Sequence, residues 1–100
     1  MHLTGFEGRI ALVTGAAGGI GAAVVALLRD SGATVIATDV AVPAIKSDNV
    51  HAFALDVTDS AAVDALVARV EADIGPIDLA AHVAGVLSTT TVTGRSEERR

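Results

Sequence analysis

One glycine-rich stretch constrains the fold of this chain more than any other part of the sequence. Its centre is the run Thr14-Gly15-Ala16-Ala17-Gly18-Gly19-Ile20-Gly21. An apolar run precedes it at 10–13, a helix-like run follows it to Leu28, and a second apolar run ends at Asp39. This order predicts a strand, a tight turn, a helix and a second strand that ends on a carboxylate.

The glycines of this turn stand where a side chain would interfere. We expect Gly15 to adopt a conformation that penalises a Cβ atom, and Gly19 to let the backbone approach a pyrophosphate. Gly21 would let the helix pack closely against the strand, and the unpaired N–H groups of the first helical turn favour an anion. The turn therefore predicts a dinucleotide site, with Asp39 placed to accept hydrogen bonds from the adenosine ribose. The alternative is that the turn is merely tight and binds no ligand, but this does not explain why strand, helix and acid follow one another in this order.

Composition narrows the class of protein. The 100 residues are 51% hydrophobic and only 2% aromatic, which suits a parallel sheet packed with small aliphatic side chains on both faces. The formal charge of −5 argues against a nucleic-acid partner. The sequence has no cysteine, no metal-ligand spacing among its histidines and no stretch long enough to span a membrane. We therefore expect a cytoplasmic protein without a metal site or a membrane partner.

Hydrophobic periodicity and turn residues predict the remaining elements. The predicted strands are Arg9–Thr14, Thr34–Asp39, His51–Leu55 and Ile77–Val83. The predicted helices are Gly19–Ser31, with apolar positions Ile20, Val24, Leu27 and Leu28, and a helix capped by Thr58 or Asp59 that runs through Ile74, with the apolar stripe Ala62, Val63, Leu66, Val67, Val70 and Ile74. The connection at 40–50 is irregular, and we expect a truncated or single-turn crossover there.

This alternation predicts an α/β fold. It corresponds to the N-terminal half of a Rossmann-type, doubly wound parallel sheet with right-handed crossovers and strand order 3-2-1-4. A ligand should bind outside the carboxyl ends of the strands, where Asp39, Asp56 and Gly85 all fall.

In motif order and spacing, the sequence resembles the short-chain dehydrogenase/reductase family from about Phe6 to Leu87. The motifs are Thr14-Gly15-x-x-x-Gly19-Ile20-Gly21, Asp39, Asp56-Val57 and Val83-Ala84-Gly85. The resemblance implies an NAD-dependent oxidoreductase that acts on a small-molecule substrate, within a parent protein that forms homo-oligomers. It implies that the cofactor is bound by Gly15, Ala17, Gly18, Gly19, Ile20, Gly21, Asp39, Asp56, Val57, Val83, Ala84 and Gly85.

Within these implied contacts, several residues have distinct roles. Asp39 would select NAD over NADP, because a carboxylate repels a 2′-phosphate and no Arg or Lys stands beside it. The pair Asp56-Val57 would contact adenine, and Ala84-Gly85 would flank the nicotinamide ribose. His82-Val83 departs from the Asn-Asn that the family usually carries here, and we expect His82 to replace the sheet-steadying first Asn only imperfectly rather than to act in catalysis.

Within the family, the sequence looks most like the 2,3-dihydro-2,3-dihydroxybenzoate dehydrogenases of catecholate siderophore synthesis. The lead-in at 5–11, the shortened connection after Asp39 and the run Val83-Ala84-Gly85-Val86-Leu87 suggest this resemblance. It implies oxidation of a dihydrodiol ring to a catechol by hydride transfer to NAD. A dehydrogenase of another alcohol or ketone, and a stand-alone nucleotide-binding module, are the alternatives.

The family's proton transfer uses a Tyr assisted by a Lys, and this sequence contains no Tyr. We therefore name no catalytic residue and expect the chain alone to be inactive. We expect an NAD-binding half-domain at 1–94 and a non-homologous charged tail at 95–100. An apolar fourth strand at the edge of the predicted sheet would make such a chain marginally stable or prone to aggregate.

Overall fold

Strands and helices alternate along the chain, as the sequence predicts. The computed structural model describes residues 4–45 and 47–83. The strands are β1 (Ile10–Thr14), β2 (Thr34–Asp39), β3 (Val50–Ala54) and β4 (Leu79–His82), and the helices are α1 (Gly19–Asp30) and α2 (Ser60–Asp73). Each element lies where it was predicted, and the boundary that differs most is the start of β4.

The four strands form one parallel sheet in the order β3-β2-β1-β4. This confirms the predicted Rossmann-type order. Thr14, the last residue of β1, is aligned with Thr38 of β2 on one side and with His82 of β4 on the other. The carboxyl ends of these three strands therefore meet at one edge, which is where ligands bind in such sheets.

The central strands β1 and β2 are buried on both faces, and their side chains alternate between two clusters on opposite sides of the sheet. Val13 and Val35 face α1 and pack with its Val25, whereas Leu12 and Ile36 face the other way. That second face is covered by α2, whose Leu66 and Val70 are buried and whose Ala62, Val63 and Ile74 pack against the same cluster. Asp59 caps α2 by accepting a hydrogen bond from the Ala62 N–H at 3.1 Å. The predicted stripe is confirmed at Ala62, Val63, Leu66, Val70 and Ile74, and Asp59 is the predicted cap that the structure confirms.

The buried face of α1 differs from the predicted one. Ile20 is 65% exposed, and the buried positions are Gly21, Val25 and Leu28. These three have helical spacing as well, but Gly21 carries no side chain and so gives no hydrophobic signal. The prediction that Ile20 belongs to the apolar stripe was wrong, because close backbone contact at Gly21 sets the rotation of the helix.

The connection between β2 and β3 is short, and no helix is assigned among its described residues, 40–45 and 47–49. Pro43 is buried and Ile45 packs against the α1-side cluster. Asn49 anchors the end of the connection: its Nδ2 donates to the carbonyl oxygens of Ala33 (2.6 Å) and Arg29 (3.3 Å). A truncated crossover is confirmed, with an asparagine side chain joining it to the end of α1.

β4 lies at one edge of the described sheet and pairs with β1. Because an unpaired strand edge promotes association between chains, we expect the purified 100-residue chain to self-associate on heating. Thermal unfolding followed by circular dichroism and light scattering tests this expectation. A sharp, reversible and monomeric transition would count against it. Within the described ranges, no helix is long and apolar enough to cross a membrane.

Candidate cofactor site

The glycine-rich turn leaves β1 sharply. Gly15 has a φ of +73°, a conformation that favours glycine, as predicted. The next residue is held by β2, because the Ala16 N–H donates to the Thr38 carbonyl at 2.9 Å. A Cβ atom on Gly21 would lie 1.9 Å from the Gly15 carbonyl oxygen. The start of α1 therefore packs on the turn so closely that only glycine fits at Gly21.

The first turn of α1 is suited to an anion. Its N-cap residue, Gly18, has no side chain to accept from the helix N–H groups, and the first turn holds no acidic residue. A Cβ atom on Gly19 would meet no atom within 4 Å. The positive end of the helix dipole and its unpaired N–H groups thus lie beside open space. These features fit the pyrophosphate of a dinucleotide.

Asp39 lies at the end of β2 and contacts the turn directly. Its Oδ2 accepts a hydrogen bond from the Ala17 N–H at 2.9 Å, and its Oδ1 accepts one from the Val40 N–H at 2.7 Å. An ionised carboxylate offers about four acceptor positions, so two remain for a ligand. The carboxylate is therefore oriented by the backbone while it keeps the capacity to accept from two ribose hydroxyls.

A cleft of about 270 Å³ opens at the carboxyl edge of the sheet. It is lined by Gly15, Gly18, Thr38, Asp39, Val40, Leu55, Val57 and Val83. The structure thus brings together five residues that the sequence singled out. Thr38, Val40 and Leu55 were not predicted, although they lie at the ends of β2 and β3, where the rule that ligands bind at carboxyl ends could have found them. The predicted contacts Ala84 and Gly85 lie outside the described residues.

Asp56 and Val57 follow β3 and differ in their surroundings. Val57 is 40% exposed and lines the cleft. Asp56 is exposed, and its Oδ1 accepts hydrogen bonds from the Thr58 hydroxyl (2.6 Å) and the Thr58 N–H (2.9 Å). These bonds, the hydroxyl first, hold the pKa of the Asp56 carboxyl below its ordinary value. Asp56 therefore stays ionised in mildly acidic solution, as an acceptor toward adenine would require.

We expect Thr58→Val to raise the pKa of Asp56 toward the ordinary aspartate value, because the substitution removes the hydroxyl donor. The folded-state pKa of Asp56 is lowered. The stability that the Asp56–Thr58 hydrogen bonds contribute is therefore fully present when the pH is above the unfolded-state pKa of about 4, and it is lost as the pH falls through the folded-state pKa. NMR titration of the Asp56 carboxyl in the two proteins measures the shift. Identical titration curves would show that the hydroxyl does not set this pKa.

His82 pairs with Thr14 across the β1–β4 ladder. The Thr14 Oγ1 and the His82 Nδ1 lie 2.5 Å apart, and the two residues are aligned in the register of the strands. His82 thus forms a side-chain hydrogen bond to the neighbouring strand, and the expectation that it replaces the family's first Asn only imperfectly stays a prediction. The geometry explains how a histidine is accommodated at this position of β4.

We expect His82→Ala to lower the free energy of unfolding by about 1 kcal/mol, because the buried Thr14 hydroxyl loses its partner. His82→Asn keeps a polar group and should retain part of this stability. Urea unfolding of both variants, together with Thr14→Val and the double mutant, gives the coupling energy of the pair. Strictly additive effects of His82→Ala and Thr14→Val would contradict the assignment.

Comparison with known proteins agrees with this geometry. Residues 9–99 match the sequence profile of a family described as short chain dehydrogenase. The match runs past Gly94, where we placed the end of the half-domain, and that boundary stays a prediction. A solved short chain dehydrogenase from Leptospira borgpetersenii, with bound NAD+, superposes with a TM-score of 0.73 at 24% identity, covering 93% of this chain and 37% of that one. This likeness supports the fold.

Two curated relatives are more similar in sequence. The 2,3-dihydro-2,3-dihydroxybenzoate dehydrogenase of Bacillus subtilis (strain 168) is 43% identical over 107 positions, which cover 98% of this chain and 41% of the relative. The 3-oxoacyl-[acyl-carrier-protein] reductase FabG of Vibrio harveyi is 40% identical over 86 residues, covering 80% of this chain and 35% of the relative. The chain therefore spans well under half the length of these relatives. With the profile match over nearly all its residues, it belongs to the short-chain dehydrogenase family.

Proposed function

We propose that this chain is the NAD-binding portion of a short-chain oxidoreductase. The observation that carries the proposal is the cleft at the carboxyl edge of the sheet, where Asp39 lines the same cavity as the glycine-rich turn that opens α1. The start of α1 offers N–H groups and the positive end of the helix dipole on one side of the cleft, and Asp39 offers a carboxylate on the other. A dinucleotide carries the complementary groups, a pyrophosphate and a ribose diol.

The described residues suggest how the cofactor would be held. The N–H groups of Gly19, Ile20 and Gly21 would bind the pyrophosphate, and the Asp39 carboxylate would accept from the adenosine ribose hydroxyls. Val57 would lie against adenine with Asp56 beside it, and Val83 would border the nicotinamide end. The family resemblance implies the same role for Ala84 and Gly85, which lie outside the described residues. When bound, NAD supplies the hydride acceptor for oxidation of an alcohol.

The charge at Asp39 favours NAD over NADP. A 2′-phosphate on the adenosine ribose would be brought close to a carboxylate that two backbone N–H groups already hold in place. The neighbours of Asp39 in sequence, Thr38 and Val40, offer no positive charge to offset this repulsion. The proposed cofactor is therefore NAD.

For the parent protein we propose oxidation of 2,3-dihydro-2,3-dihydroxybenzoate to 2,3-dihydroxybenzoate in siderophore synthesis, in the cytoplasm and as a homo-oligomer. The support is the 43% identity to the Bacillus subtilis enzyme along nearly this whole chain. The similarity to FabG keeps an acyl-carrier ketone, or another alcohol or ketone, as the second candidate. Because the sequence has no Tyr to accept the substrate proton, we expect this chain alone to bind cofactor without catalysing the reaction. A stand-alone nucleotide-binding module would share that property.

Calorimetric titration of the purified chain with NAD and with NADP tests the cofactor assignment. We expect NAD to bind more tightly than NADP, and Asp39→Ala to remove the preference. The exposed Asp64→Asn on α2 removes the same charge away from the cleft and should leave the preference intact. Tighter binding of NADP by the unmodified chain would overturn the assignment, and so would binding of neither cofactor by a folded chain.

A further inference from the structure

Asp39 makes contacts that a residue serving only the ribose would not need. Its Oδ2 lies 2.9 Å from the Ala17 nitrogen, although the two residues are separated by 22 positions in sequence. The adjacent contact, from the Ala16 N–H to the Thr38 carbonyl at 2.9 Å, is made by the backbone alone. The end of β2 therefore holds two consecutive residues of the glycine-rich turn, and one of these two contacts depends on a side chain.

Ala17 lies directly before the first residues of α1. Ala17 is followed by Gly18, the N-cap, and the first helical turn starts at Gly19. The Gly18 N–H donates to the Gly15 carbonyl oxygen at 3.4 Å, so this hydrogen bond within the turn is long and weak. A charged acceptor at Ala17 therefore supplies a stronger restraint than the turn makes for itself.

We propose that Asp39 is a positioning residue for the glycine-rich turn, which it fixes through the Ala17 N–H before any cofactor binds. One carboxylate then serves two purposes: its backbone-facing lone pairs order the phosphate-binding turn, and its cleft-facing lone pairs receive the ribose. The second purpose rests on the proposed function, whereas the first does not. It follows that a substitution chosen to admit NADP also loosens the turn that must bind the pyrophosphate.

Hydrogen exchange at the Ala17 amide, measured by NMR without cofactor, tests the positioning role. Asp39→Ala removes both the charge and the acceptor, whereas Asp39→Asn removes the charge and keeps one acceptor oxygen. We expect the Ala17 amide to exchange about tenfold faster in Asp39→Ala than in the unmodified chain, the equivalent of one hydrogen bond. Asp39→Asn should give an intermediate rate. Asp64→Asn is the charge-matched control and should leave the Ala17 rate unchanged.

Two results would overturn the positioning role. One is an Ala17 amide that exchanges equally fast in the unmodified chain and in Asp39→Ala. The other is an equal rate in Asp39→Ala and Asp39→Asn, which would trace the effect to charge instead of the hydrogen bond. Circular dichroism of each variant verifies that the fold is retained, and Asp39→Asn keeps the comparison available if Asp39→Ala fails to fold. Because no cofactor is present, slow exchange that depends on Asp39 supports the role even if NAD proves not to bind.

Inorganic pyrophosphate provides a second readout that lacks a ribose. The two variants at position 39 carry the same charge, so electrostatic repulsion of the anion is equal in both. We expect pyrophosphate to bind several-fold more tightly to Asp39→Asn than to Asp39→Ala, because an ordered turn presents its N–H groups together. Tighter binding to Asp39→Ala would count against the role of Asp39 in ordering the site.

Discussion

Replacing Gly21 by alanine is expected to destabilise the chain by about 3 kcal/mol, the cost of forcing extra volume into a closely packed site. The added Cβ atom would lie 1.9 Å from the Gly15 carbonyl oxygen and 2.9 Å from the Ala16 Cα. Both atoms belong to backbone, which cannot rotate away as a side chain could. This change in stability has the opposite sign to the usual one, because replacing glycine by alanine normally stabilises a helix by about 1 kcal/mol.

Urea unfolding of Gly21→Ala against the unmodified chain measures this effect. Gly19→Ala is the matched control, because it makes the same change two positions earlier in the same helix. Its Cβ atom would meet no atom within 4 Å, so its stability should be equal to or slightly above that of the unmodified chain. Equal stability of the two variants would mean that α1 does not approach the turn as closely as the structure indicates.

Gly19→Val should differ from Gly21→Ala: we expect it to keep a stable fold and to lose most of its affinity for the cofactor. Valine finds open space at Gly19, and we expect the free energy of unfolding to change by less than about 0.5 kcal/mol. If this space receives the pyrophosphate, the side chain keeps the phosphate from the N–H groups. Loss of one charge-assisted hydrogen bond would then weaken NAD binding by about 10- to 100-fold.

Calorimetry with NAD measures the affinity, and urea unfolding of the same samples measures stability. Ala23→Val, at an exposed position further along α1, controls for the effect of a valine on the helix. It should bind NAD as the unmodified chain does. Unchanged NAD affinity in Gly19→Val would place the pyrophosphate elsewhere.

Much of the architecture could be predicted because the relevant signals are local. β2 was predicted with its observed bounds, since Gly32 before it and Asp39 at its end delimit an apolar run. The stripe of α2 was correct because its buried positions carry large aliphatic side chains at helical spacing. Strand order followed from the alternation of strands and helices together with the handedness of parallel crossovers. The glycine-rich turn and Asp39 were predicted to lie at one site because both follow the carboxyl ends of parallel strands.

Other features depend on close approach between distant segments, which periodicity does not record. The rotation of α1 is set by backbone contact at Gly21, a residue without a hydrophobic signal, so Ile20 was wrongly included in the buried stripe. The anchoring of Ala17 by Asp39 depends on the path of the turn in space. So does the contact of the Asn49 amide with carbonyl groups at the end of α1. His82 was recognised as unusual, but its partner Thr14 became evident only from the register of β1 and β4.

In the proposed function, the start of α1 and the carboxyl ends of β2 and β3 bind NAD together. Titration of NAD into isotopically labelled chain, followed through backbone amide chemical shifts, tests this most directly. We expect the largest shifts at the amides of Gly19, Ile20 and Gly21, and a further shift at the amide of Val57. Shifts confined to residues away from the carboxyl edge of the sheet, or no shifts from a folded chain at millimolar NAD, would contradict it.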